Sequence, residues 1–125
     1  MGLSYLQADK LNQASKAFIN AYKYNKTEKN VHKNIITCGK SQFEKGDFKS
    51  ALETFTFCLN FKKSTEVYTY LGATYDKMNN NEKALEFFTK ALKKSPKSKT
   101  CIDNLKYIEN KIQKGNGFFA RLFNK

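Results

Sequence analysis

One ladder of small and aromatic residues recurs three times along this chain. Gly72 is followed by Tyr75, Ala84, Phe88 and Ala91; Gly39 by Ala51, Phe55 and Cys58; Gly2 by Tyr5, Ala14, Phe18 and Ala21. In each register the small residue follows the glycine by 12 positions, the aromatic by 4 more and the next small residue by 3 more, with the glycines 37 and then 33 residues apart. A period near 34 is that of helical hairpins stacked into a solenoid, because one hairpin cannot bury its apolar face alone. Gly39 and Gly72 fall inside predicted helices, where glycine costs about 1 kcal/mol against alanine. A residue so unfavourable implies that another element passes too close for a Cβ. Ala51 and Ala84 make room from the opposing helix, and Phe55 and Phe88 fill the wedge beside them.

Helices are predicted over about 1–8, 12–24, 30–45, 48–61, 65–78, 81–94 and 98–114, with a short one near 117–124. No alternating run of β-branched residues suggests a strand. Lys45-Gly46-Asp47 offers a glycine for φ > 0 and then an Asp cap. Asn79-Asn80-Asn81 does the same, since Asn tolerates the left-handed conformation and also caps. Ser64 caps the next helix, with Glu66 near its positive end. Ser95-Pro96 stops the sixth helix, and proline suits a first turn. Asn25 to Glu28 forms a longer link, which accounts for the spacing of 37.

The chain has 125 residues, 40% hydrophobic and 14% aromatic, enough for one domain with a real core. No stretch approaches the roughly 18 apolar residues of a membrane span. The opening MGLSYLQADK lacks the basic start and apolar core of a secretory signal, and Leu6 breaks the myristoylation pattern at Gly2. Cys38, Cys58 and Cys101 are odd in number and widely spaced, as expected of buried thiols in a reducing, cytoplasmic setting. The net charge is +12; of 23 basic residues only Arg121 is arginine, leaving 22 lysines. Arginine is the usual reader of phosphates and base edges, so specific nucleic-acid binding is not expected. An acidic protein partner or an anionic surface fits this charge, as do simply solvated outer faces.

The residues of the third register are the signature of the tetratricopeptide repeat. Tyr68, Leu71-Gly72, Tyr75, Ala84, Phe88, Ala91 and Pro96 stand where that family's pattern puts them. The second repeat keeps Gly39, Gly46-Asp47-Phe48, Ala51 and Phe55, but has Gln42 for the usual aromatic, Cys58 for alanine and Lys63 for proline. In the first, Met1 falls midway through the first helix, so the chain is expected to be a fragment or to carry a truncated repeat. The resemblance implies an all-α, right-handed solenoid of about three helix-turn-helix hairpins plus a C-terminal cap helix. Its extent is 1–114, with repeats at about 1–28, 32–64 and 65–98 and the cap helix at 98–114; residues 115–125 form a Phe-rich basic tail.

What that family implies is a concave groove lined by the first helix of each hairpin. Transferred to this chain, the groove residues are Lys33, Ile36, Thr37, Lys40 and Phe43, then Glu66, Thr69, Tyr70, Ala73 and Lys77, with Asp103, Asn104 and Tyr107 from the cap helix. Such a surface suits a peptide or helix of a protein partner. A subset of the family clamps carboxylate tails; at the matching positions this chain has Leu3, Thr37, Glu66 and Tyr70, so the clamp is absent and Glu66 would repel a carboxylate.

No phosphate loop, HExxH, GxSxG or nucleophile–base constellation appears, and no cofactor or metal is expected. His32 is expected to be an ordinary exposed histidine. In the tail, Phe118, Phe119, Leu122 and Phe123 fall on one side of a helix flanked by Arg121 and Lys125. That face could dock on its own domain, on a partner, or on a membrane surface. The function expected is a non-catalytic protein–protein interaction scaffold, an adaptor domain binding in its groove. The alternative is a surface-targeting module that attaches to anionic membrane or an acidic assembly through its basic surface and tail. Self-association through the uncapped N-terminal repeat is a further expectation.

Overall fold

The computed structural model describes the backbone of residues 5–123 and the side chains of residues 10–114. Six α-helices run in order: α1 (Tyr5–Tyr24), α2 (Lys29–Glu44), α3 (Phe48–Cys58), α4 (Thr65–Lys77), α5 (Asn81–Lys94) and α6 (Lys99–Phe123), with no strand among the described residues. Each helix packs on the next, and α2 also touches α4. The hairpins α2–α3 and α4–α5 are therefore stacked side by side between α1 and α6. All-α architecture built of such hairpins is the expected fold.

The two hairpin turns are made alike. Gly46 takes φ 86° and Asn79 φ 62°, both in the left-handed region that glycine and asparagine tolerate. The residue after each caps the next helix: Asp47 accepts from the Ser50 amide, and Asn80 from the Lys83 amide, both at 3.2 Å. Ser64 caps α4 by accepting from the Val67 amide, and Ser98 accepts from the Cys101 amide.

The glycine positions have the reason expected of them. A Cβ on Gly39 would lie 2.8 Å from the Phe55 ring, and one on Gly72 would lie 2.6 Å from Phe88. Each ring occupies the space a Cβ would take, and Ala51 and Ala84 beside them are fully buried. Phe55, Ile35, Val67 and Leu71 form the centre of the main core, while Ala84, Phe88 and Ile108 tie α5 to α6.

Two helix boundaries differ from expectation. The break between 1–8 and 12–24 is absent, and α1 is continuous. Nothing between Tyr5 and Tyr24 is glycine or proline, and Asn12, at the expected break, stays helical. Ala14, Phe18 and Ala21 all lie on α1; Gly2 lies outside the described residues. At the other end, Gly115-Asn116-Gly117 does not stop the cap helix, which merges with the expected tail helix and reaches Phe123. Isolated glycines weaken a helix without ending it, and no proline or cap follows. The tail contacts expected of Phe118, Phe119, Leu122 and Phe123 fall outside the residues whose side chains are described.

Candidate functional site

Because α2 and α4 lie on the same side of their hairpins, residues a turn apart on each face one concavity. A cavity of about 600 Å³ opens there, lined by Lys29, His32, Lys33, Ile36, Thr37, Lys40, Lys62 and Glu66. Lys33, Ile36, Thr37 and Lys40 recur at helical spacing along one face of α2, and Glu66 enters from the first turn of α4.

Lys40 joins the two hairpins. Its Nζ lies 2.9 Å from a Glu66 carboxylate oxygen and 5.8 Å from the centre of the Tyr70 ring. The hydrogen bond to Glu66 holds the Lys40 ammonium above its ordinary pKa, against the opposing effect of partial burial. The repulsion expected between Glu66 and an incoming carboxylate is thus met inside the chain by a lysine. Tyr70 stacks on Phe55 at 4.9 Å and meets Phe43 edge-to-face with ring centres 5.7 Å apart; Phe43 and Tyr70 pack on the main core and do not border the cavity.

The remaining expected groove residues are not gathered into this cavity. Thr69 turns its hydroxyl onto the Thr65 carbonyl, and Ala73 packs against the α5–α6 core. Tyr107 donates to Asp76 at 3.0 Å, and Lys111 contacts the same carboxylate at 2.6 Å, an arrangement that pins the cap helix to α4. Lys77 and Asp103 are exposed and Asn104 half-buried, away from the cavity.

Sequence reasoning missed Lys29, His32 and Lys62 as lining residues. Lys29 and His32 open α2, and Lys62 stands in the α3–α4 loop, brought near only when the hairpins stack. His32 is half-buried rather than exposed: its ring stacks on Phe61 at 4.2 Å, and its Nε2 donates to the Lys26 carbonyl at 2.6 Å. Phe61 and Tyr22, 5.4 Å apart, hold it in an aromatic cluster at the α1–α2 link.

On the far side of α2, away from the groove, a polar chain joins α1 to the second hairpin. Gln42 donates to Asn12 at 2.9 Å and accepts from Thr54 at 2.6 Å. The Thr54 hydrogen is spent on Gln42, so Ser15, at 3.1 Å, donates to the Thr54 oxygen. The three cysteines are free and buried, and burial pushes the Cys58 thiol up to about 12. Among the described residues, no helix is long and apolar enough to cross a membrane, and no group of His, Cys, Asp and Glu is placed to hold a metal ion.

Residues 65–98, the α4–α5 hairpin and the loop after it, match the family model of the tetratricopeptide repeat. The chain carries a tetratricopeptide repeat. Repeats of this kind mediate protein–protein interactions and are typically non-catalytic scaffolds. The α2–α3 hairpin stacked on this repeat shares its turn geometry and its glycine–phenylalanine contact. No match is found among curated proteins.

Proposed function

We propose that this chain is a non-catalytic interaction domain that binds a peptide or helix of a protein partner in the concavity between α2 and α4. One observation carries the reading. Five residues expected to line a tetratricopeptide groove (Lys33, Ile36, Thr37, Lys40 and Glu66) border a single open cavity of about 600 Å³. That volume lies within the range of small-ligand sites, about 300–1,000 Å³, and admits a few side chains of a peptide. A tetratricopeptide hairpin next to it supplies the scaffold.

Peptide display against the full chain tests this. Selected peptides should lose at least tenfold in affinity for a Thr37→Phe variant, which fills the cavity from an exposed position. The Thr37 hydroxyl bonds only its own helix, at the Lys33 carbonyl, so the fold should keep its melting temperature. Peptides that bind the variant and the parent equally would place recognition elsewhere.

A further inference from the structure

We propose that the segment this cavity takes is an acidic peptide, whose carboxylates pair with Lys29, Lys33 and Lys62, while Glu66 is the cavity's own competing anion. The inference rests on the groove-binding reading and adds the chemistry of the occupant.

Four lysines border the cavity against one acidic residue. Glu66 is engaged with Lys40, which leaves Lys29, Lys33 and Lys62 exposed around one concavity with no acidic partner among the described residues. Three ammonium groups about a common space repel one another, and an anion placed between them relieves that repulsion. Two donors of the lining already have partners in the chain. Thr37 bonds the Lys33 carbonyl and His32 bonds the Lys26 carbonyl. The charged donors on offer to a ligand are ammonium groups, and what ammonium selects is negative charge.

The positive charge continues beyond the cavity along one edge. The links α1–α2, α3–α4 and α5–α6 lie at the same ends of the stacked hairpins, and they carry Lys26, Lys62, Lys63 and Lys97 against one acidic residue, Glu28. The opposite edge mixes signs, with Lys45 beside Asp47 and Glu82 beside Lys83. A partner longer than the cavity would meet an excess of cations along the first edge. A second copy of this chain, itself carrying a net charge of +12, complements that edge poorly. Concavity favours a protruding chain over a flat bilayer or a duplex. The cations of the lining are all lysine, point charges without the forked donors by which arginine grips an anion bidentately, so they select charge rather than shape.

Fluorescence polarisation with labelled octaglutamate and octaglutamine, on the full chain, decides the matter. Octaglutamate should bind and octaglutamine should not, with affinity falling as salt rises. Lys33→Glu with Lys62→Glu should weaken binding at least tenfold. Lys49→Glu with Lys106→Glu, which removes the same net charge elsewhere, should change it less than threefold. Glu66→Gln should tighten it several-fold, and a weaker or unchanged Glu66→Gln would overturn the role given to Glu66. Circular dichroism checks that each variant folds.

Phosphatidylserine vesicles and single-stranded RNA are the comparison probes. Loss of either in the Lys33/Lys62 variant, with octaglutamate no better than octaglutamine, would overturn the acidic-peptide assignment. If neutral display peptides still bind and are blocked by Thr37→Phe, only the acidic occupant falls. If no peptide is blocked, the groove reading falls with it.

Discussion

The hairpins α2–α3 and α4–α5 share a frame and differ in what fills it. Both turn on a left-handed residue, Gly46 or Asn79, and both press a buried phenylalanine onto a helix glycine. Three residues after each glycine, and fifteen after it, the second hairpin has Gln42 and Thr54 where the third has Tyr75 and Phe87. Tyr75 and Phe87 stack at 5.7 Å, whereas Gln42 and Thr54 share a 2.6 Å hydrogen bond that extends to Asn12 and Ser15 on α1. Backbone geometry in this repeat is thus set by the glycine–phenylalanine contact, and the neighbouring helix decides whether the flanking pair is polar or aromatic. Gln42 is 1% exposed, so its amide needs the partners that α1 supplies.

The shared frame should be the most costly to break. Phe55→Ala and Phe88→Ala each remove a ring from against bare backbone, and each should cost about 3–5 kcal/mol in denaturant unfolding. Similar losses would support equivalence of the two contacts. A Phe55→Ala loss under 1 kcal/mol would show that the second hairpin is held by its polar chain instead.

Replacing the polar pair comes next. Gln42→Leu takes the acceptor from the Thr54 hydroxyl and the donor from the Asn12 side-chain carbonyl, an expected loss of about 1–3 kcal/mol. Gln42→Leu with Thr54→Val should cost less than the sum of the two single changes, by about 0.5–3 kcal/mol. Strict additivity in that double-mutant cycle would mean that the pair is not coupled.

The smallest effect concerns Cys58, which occupies the place of Ala91 in the third hairpin. Its thiol is raised from 9.0 to about 12, chiefly by burial. Below pH 9 both folded and unfolded thiols are protonated and pH has no leverage. Between pH 9 and about 12 only the unfolded thiol ionises, so stability present below pH 9 is lost as pH rises. At pH 10 that loss is about 1 kcal/mol. Cys58→Ala should flatten this alkaline limb in pH-dependent melts, and an unchanged limb would assign the loss to other groups.

Much of this comparison was legible in the sequence. The period, the two glycine–phenylalanine contacts and the turn residues are local or strictly spaced signals, and they gave the hairpins. The departure of Gln42 from the pattern was legible as a departure. Its cause was not, because Asn12 lies 30 residues away and pairs with it only after α1 packs against α2. Five of the eight residues lining the cavity were foreseen, from the face of α2 and from Glu66. Lys62 was not, because a loop residue has no helical register to reveal which way it faces.

By itself, the sequence determined the all-helical repeat, since each glycine, cap and aromatic rung acts within about 20 residues of chain. It also set the excess of lysine. Tertiary structure alone decided which of those lysines share a cavity and that Lys40 is held by Glu66. These follow from where helices come to rest against one another, and such contacts join residues that no sequence spacing relates.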